Sequence, residues 1–392
     1  MERAILICGL VRAEAHFLDY LDGVHQLGVP GLRIIYSTWI GELDRYPEAR
    51  RKLDAVGAFV VEQEHPDLKL PGHILHQTLT LELGLSLLED DVFVLKTRPD
   101  ICGVMDVSHF MELTPERLGP SLLPCPFTHR VFVVGMFGAH PTYINDIIFA
   151  GRAGDLRRLV WMPITLGPKF PRLSAEQWIW SGVFAPGNAI LEAYLSVNPG
   201  LVFSDPARHE ATRAVLSASP LFARAIAVAA QLTHDTLGYL HPEPQLELSL
   251  KRCARQTVEA LLWDDLAIPG IDHHPLAKTN IFISPGPMTV LQTGTWRESP
   301  LGGLIRWFQT EMRGGRWPSR AELTKEACAL AEALQREAGI GEHQTPVDAE
   351  RSRTVRRGPP AWRLAGGSDV AVLEQEINAM RRTIDALIRE RK

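Results

Sequence analysis

The first hundred residues alternate short apolar runs with stretches of helical periodicity, and this alternation constrains the fold more than any other feature of the chain. Residues 3–8, Arg-Ala-Ile-Leu-Ile-Cys, read as a strand, and residues 14–27 as a helix with Phe17, Leu18, Leu21, Val24 and Leu27 on one side. Gly28-Val29-Pro30-Gly31 ends that helix. A second strand follows at 32–37, a helix at 47–56 and a short strand at 58–61. Ile74, Thr78, Leu81, Leu85 and Leu88 fall at 4-3-4-3 spacing, predicting a helix over 73–88, and residues 91–96 read as the next strand. Apolar runs without a polar alternate suit strands buried on both faces, and parallel neighbours need helical crossovers of this length. The expectation is an α/β fold with a mostly parallel sheet flanked by helices.

Beyond residue 125 the pattern loosens. Residues 131–137 read as a strand, and 142–160, 174–197, 207–232 and 246–263 as helices. The expected organisation is an α/β domain over 1–200, a mainly helical region over 201–340, a linker over 341–367 and a terminal helix over 368–392. The linker carries a basic patch, Arg351-Ser352-Arg353-Thr354-Val355-Arg356-Arg357, before Gly358-Pro359-Pro360. In the terminal segment Leu373, Ile377, Met380, Ile384 and Leu387 form a short heptad stripe. It reads either as a short coiled coil, giving a homo-oligomer through 368–392, or as a helix docked on its own domain.

Charge and cysteine usage narrow the class. With 41 basic and 46 acidic residues the net charge is -5, which gives no general attraction to nucleic acid. The apolar run at the N-terminus is too early and too brief for a signal peptide, and no stretch reaches the length of a membrane span, so no transmembrane segment is expected. Cys8, Cys102, Cys125, Cys253 and Cys328 are scattered without a C-x-x-C pair, which suits reduced thiols in the cytoplasm. No G-x-x-x-x-G-K-[ST], strand-following G-x-G-x-x-G or G-x-S-x-G occurs, which argues against a P-loop enzyme, a dinucleotide oxidoreductase and a serine hydrolase. His234-Asp235 and His273-His274 lack the spacing of a helical zinc site.

In an open α/β sheet, ligands bind beyond the carboxyl ends of the strands. Here those ends carry Gly9-Leu10-Val11-Arg12, Ser37-Thr38-Trp39 and Lys96-Thr97-Arg98-Pro99-Asp100. Cations for a diphosphate, hydroxyls for a ribose and an aromatic plane for a base are all present among Arg12, Lys96, Arg98, Ser37, Thr38 and Trp39. Trp39 can equally cap the core, and Arg98 can simply pair with Asp100. Pro99 fixes the backbone just before Asp100.

Ser-Thr-Trp after the second strand and Lys-Thr-Arg-Pro-Asp after a later one resemble the WavE-type lipopolysaccharide-synthesis glycosyltransferases, a group similar to nucleotide-sugar transferases of the GT-A fold. The resemblance continues in order through the polar helix His76-Gln77-Thr78-Leu79-Thr80-Leu81-Glu82-Leu83-Gly84-Leu85, then Asn145-Asp146-Ile147-Ile148-Phe149-Ala150-Gly151, then Ala175-Glu176-Gln177-Trp178. It covers roughly residues 4–185. Leu75-His76 stands where the family carries Asn-Arg, and Ala175 where it carries proline.

The resemblance implies a GT-A-like, Rossmann-related nucleotide-sugar domain and a glycosyltransferase acting on a cell-surface glycan or its lipid-linked precursor. Together with the strand-end reading it places Gly9, Arg12, Ser37, Thr38, Trp39, Gln77, Lys96, Arg98 and Asp100 in the donor site. Asp100 matches the position that holds a divalent cation, Mg2+ or Mn2+ for such an oxygen site. Lys96 or Arg98 offers a metal-free alternative for the leaving diphosphate. Asp146 and Glu176 are the candidate general bases for the acceptor hydroxyl. The enzyme would work in the cytoplasm, at the inner face of the membrane where its acceptor is lipid-linked. The competing reading is a non-catalytic GT-A-like protein that binds glycan or partners. A nucleotidyl- or sulfo-group transferase shares the need for a phosphate site but lacks a glycine loop to cradle it.

Overall fold

A computed structural model describes residues 1–66, 74–134, 141–142, 144–161, 173, 175–199, 211–212, 214–216, 218–240, 309–310, 313–315 and 317–340. All lie in a compact unit spanning Met1–Glu342; a second unit, His343–Lys392, lies outside the described residues, as do the expected helix at 246–263, the linker and the terminal heptad stripe.

The unit is α/β. Strands β1 (Arg3–Cys8), β2 (Leu32–Trp39), β3 (Phe59–Gln63), β4 (Phe93–Thr97), β5 (Val131–Val133), β6 (Phe149–Arg152) and β7 (Leu237–Tyr239) form one sheet in the order β3-β2-β1-β4-β6-β5-β7. Pairing is parallel from β3 through β4 and between β5 and β7. Only β6 runs against its neighbours.

Helices α1 (Glu14–Leu27), α2 (Pro47–Ala55) and α4 (Val104–Glu112) cover one face, where Ile5, Ile7 and Leu95 point. Helices α3 (Ile74–Leu85), α5 (Ala153–Trp161) and α6 (Ala175–Phe184) cover the other, where Leu6, Cys8 and Val94 point. Helices α7 (Ala189–Ser196), α8 (Pro220–Thr236) and α9 (Arg320–Ala338) extend that second core. Alternate residues of β1 thus enter two different apolar cores, which is why its run is apolar throughout. The chain builds β1, β2 and β3 outward in one direction and then returns through α3 to lay β4 on the other side of β1. That reversal puts a switch point between β1 and β4.

The expectations are modified at three points. Residues 142–160 are not one helix: Phe149–Arg152 pair with β4, and the helix starts only at Ala153. The reason is non-local, since Lys96 and Phe149 are register partners and the strand has no alternation of its own. Residues 174–197 divide into α6 and α7 at Gly187, whose φ of +80° only glycine adopts readily, with Asn188 capping α7. The region after 200 contributes a strand as well as helices, because β7 closes the β5 edge.

Helix α3 lies close on β1. A Cβ at Gly84 would stand 2.2 Å from Cδ1 of Leu6, itself wholly buried. Gly84→Val is therefore expected to destabilise the fold by about 1–3 kcal/mol through overpacking. Urea melts of the two proteins measure it; equal midpoints would show that α3 can lift off β1 without cost.

Candidate functional site

The turn after β1 is tied down from β2. Gly9, with φ +108°, donates its N–H to the Ser37 oxygen at 3.0 Å. Its own carbonyl accepts from the Tyr36 hydroxyl at 2.9 Å and from Thr38 Oγ1 at 3.0 Å. Beyond it, Val11 N–H donates to the buried Glu42 carboxylate at 2.8 Å, and Arg45 pairs with the same carboxylate. Glu42 was not legible as a site residue, because nothing near Trp39-Ile40-Gly41 reveals that its carboxylate turns inward to the β1 turn. These bonds fix the loop that carries Arg12 beside the end of β4.

At that end Arg98 donates from Nε to Asp100 Oδ1 at 3.0 Å and from a terminal nitrogen to Oδ2 at 2.7 Å, a bidentate fork. Arg12 approaches the same Oδ2 at 3.8 Å. Side-chain exposure rises outward from Asp100 at 8% through Arg98 at 17% to Arg12 at 43%. The carboxylate therefore sits deepest, Arg98 is mostly covered and Arg12 is the more exposed of the two arginines.

Lys96 points to the α3 side of the sheet and is buried. Its Nζ donates to the main-chain oxygens of Asp146 at 2.6 Å and Ile147 at 3.1 Å, and lies 5.1 Å from the centre of the Phe149 ring. Burial lowers its pKa to about 8 against the opposing pull of the Asp146 carboxylate. Asp146 is only 2% exposed, and burial raises its pKa although Lys96, Arg98 and a hydrogen bond from Gln77 oppose the rise. Burial likewise pushes the Cys8 thiol, near Lys96 on the end of β1, up to about 12.

The structure thus joins Gln77, Lys96, Arg98, Asp100, Arg12 and Asp146 in one electrostatic cluster at the switch point. Asp146 was expected on a helix; it lies instead in the bend before β6, brought there by antiparallel pairing with β4. Asn145 shapes that bend by accepting from Ile147 and Ile148 N–H through Oδ1.

Helix α6 clamps the bend. Gln177 donates to the Pro141 oxygen at 3.5 Å, Trp180 Nε1 to the Asn145 oxygen at 3.3 Å, and the hydroxyls of Ser181 and Thr142 lie 2.6 Å apart. Glu176 is half-buried in the first turn of α6, on the helix side shared with Trp180 four residues on.

Ser37, Thr38 and Trp39 stand at the end of β2, one strand further out. Thr38 serves the Gly9 turn, and Ser37 Oγ is buried without a hydrogen-bond partner. Trp39 is buried beside His65 and His76, with ring centres 5.1 and 5.5 Å away and the two imidazoles 4.5 Å from each other, so its ring is enclosed rather than open for stacking. His76 precedes Gln77 on α3, which links this aromatic group to the cluster around Asp146.

A separate cavity of about 410 Å³ is lined by Arg117, Ser121, Cys125, Phe127, Thr128 and Asp235, among others. It lies by the amino ends of β5 and β7, which run in the same direction as β4, and so at the end of the sheet opposite the strand-end cluster.

Among the described residues no group of three or more His, Cys, Asp or Glu side chains is placed to hold a metal ion, and no helix is long and apolar enough to cross a membrane. In comparisons with known proteins, no family model, no curated protein and no solved structure matches this chain.

Proposed function

We propose that the chain is a glycosyltransferase that moves a sugar from a nucleotide-sugar donor to a cell-surface glycan or its lipid-linked precursor, on a GT-A-like domain at the cytoplasmic face of the membrane. One observation carries this reading: at the switch point of the sheet, Asp100 holds Arg98 in a bidentate fork with Arg12 beside it, which sets two guanidiniums at the strand ends beyond which such sheets bind ligands. Planar guanidiniums match phosphate oxygens, and the ordered motif set resembling the WavE-type transferases supplies the sugar-nucleotide assignment.

In the proposed reaction the acceptor hydroxyl oxygen bonds to the anomeric carbon while that carbon's bond to the diphosphate oxygen breaks. The diphosphate leaves with the electron pair, stabilised by Arg12 and Arg98. The hydroxyl proton passes to a carboxylate. Asp146 is enclosed by Lys96 and Gln77, which suits holding the bend rather than meeting an acceptor. Glu176, half-buried in the first turn of α6, is the base this reading favours.

Glu176→Gln keeps the shape and removes the basic oxygen. Turnover should fall about a hundredfold or more while donor affinity stays unchanged. Release of nucleoside diphosphate in the presence of an acceptor glycan reads the first effect, and calorimetric titration of the donor the second. Wild-type turnover in the variant would remove Glu176 from the mechanism.

A non-catalytic glycan- or partner-binding protein is the second reading. It is favoured by the engagement of both strand-end carboxylates, Asp100 with the arginines and Asp146 with Lys96 and Gln77. Nucleotide-sugar binding without transfer across a broad acceptor panel would establish it.

A further inference from the structure

We infer that this site grips a diphosphate directly between Arg98 and Arg12, with Asp100 as their anchor, and that no divalent cation takes part in binding. The inference rests on the nucleotide-sugar reading above and specifies how that reading offsets the diphosphate charge.

The carboxylate that GT-A-like enzymes would offer to a metal is already used. Both Asp100 oxygens accept from the Arg98 fork, at 3.0 and 2.7 Å, and Arg12 stands 3.8 Å from one of them. The fork takes one lone pair on each Asp100 oxygen, so a magnesium ion, which bonds oxygen at about 2.0–2.1 Å, would have only the remaining lone pairs, beside the guanidinium charge. It would then sit beside Arg98, Arg12 and Lys96, three cations gathered around the Asp100 and Asp146 carboxylates. The Asp146 carboxylate is buried, with Lys96 and Arg98 acting on its charge and a hydrogen bond from Gln77. Since no described group of acidic, histidine or cysteine residues assembles a metal shell, a cation would bring its ligands almost wholly from water and phosphate.

The order of exposure points the same way. An incoming anion meets Arg12 and Arg98 before it meets Asp100, because exposure falls from 43% to 17% to 8% along that path. Asp100 also lowers the entropic cost of the grip by holding Arg98 in one geometry before the ligand arrives. Each guanidinium can then give parallel N–H bonds to phosphate oxygens, the role a bridging cation otherwise fills.

The test is calorimetric titration of the full chain with inorganic pyrophosphate and with the uridine, guanosine, cytidine and adenosine diphosphates, each in excess EDTA and again with manganese. At least one nucleoside diphosphate should bind with a Kd that agrees within about twofold between the two buffers. Arg12→Gln should weaken that binding about tenfold or more in both, the scale of one charge-assisted hydrogen bond. Arg12 is the most exposed member of the cluster, so its replacement leaves the packing intact. Binding that appears only with manganese, or an Arg12→Gln affinity equal to wild type, overturns the cation-free grip while leaving the nucleotide-sugar reading in place. Failure of every nucleoside diphosphate in both buffers, with or without pyrophosphate binding, removes that reading and this inference together.

Discussion

Replacing Lys96 by methionine is expected to cost about 3–5 kcal/mol of folding free energy, the scale of breaking a buried ion pair from one side. Methionine keeps the apolar stem but not the ammonium over the Phe149 ring, so lost packing of the stem contributes little. What disappears is the donor to the Asp146 and Ile147 oxygens and the cation facing the Asp146 carboxylate, all in a wholly enclosed setting. Two carbonyls and one carboxylate are left short of a partner, and each such loss is costly where water cannot replace it.

The pH dependence gives this prediction a second readout. Burial holds the Lys96 pKa at about 8, below its ordinary value of 10.5. Between those two values the unfolded chain retains a proton that the folded chain has released. Stability contributed by this group therefore rises with pH across that window, and below about 8 the charged lysine carries its full burial penalty. Lys96→Met has no such window, so the stability gap between wild type and variant should widen from pH 7.5 to pH 9.5, two values chosen to bracket the window's lower edge. Urea melts at both pH values measure it. A gap that stays constant would mean that Lys96 does not titrate in this range, and a gap below about 1 kcal/mol would put the carbonyls in contact with water.

Lys96 also marks the border of what the sequence discloses. Its place at the end of an apolar strand is legible, because the run Asp91–Leu95 is local and continuous. The same holds for β1, α1 and α2, whose periods lie within single segments. Asp146 is different. Its burial depends on a strand of four residues whose pairing partner lies about fifty residues earlier, and no local pattern announces that pairing. Helix α4 and strand β7 escape for related reasons: one is short and follows the strand-end turn directly, the other is three residues long and takes its identity from the β5 edge. Motif order did identify Arg98, Asp100, Gln77 and Asp146 as candidates. The pairing of Arg98 with Asp100 is one of the readings open from sequence, but the approach of Arg12 to the same carboxylate is not legible, because it depends on three-dimensional register.

That partnership yields the second large effect. Arg98→Gln should lower transfer by roughly 10²–10³, the usual cost of removing one preorganised donor from a developing negative charge. Asp100→Asn should lower it by roughly 10², since an amide replaces one accepting oxygen with a donor that opposes the Arg98 fork. Asp100 acts through Arg98 in this account, so it is a positioning residue and the two losses share one origin. The double variant should therefore fall little below Arg98→Gln alone, a strong departure from additivity expected of residues that act as a unit. A metal ligand would behave otherwise: Asp100→Asn would cost cation affinity independently of Arg98, the two losses would multiply, and excess manganese would recover part of the Asp100→Asn deficit. The measurement is nucleoside diphosphate release for wild type, both single variants and the double variant, with and without manganese. Thermal melts of all four proteins would exclude loss through unfolding. Multiplicative losses with manganese rescue would return Asp100 to the metal. Losses that fail to add, indifferent to manganese, would leave the carboxylate as the anchor that holds Arg98 toward the phosphate.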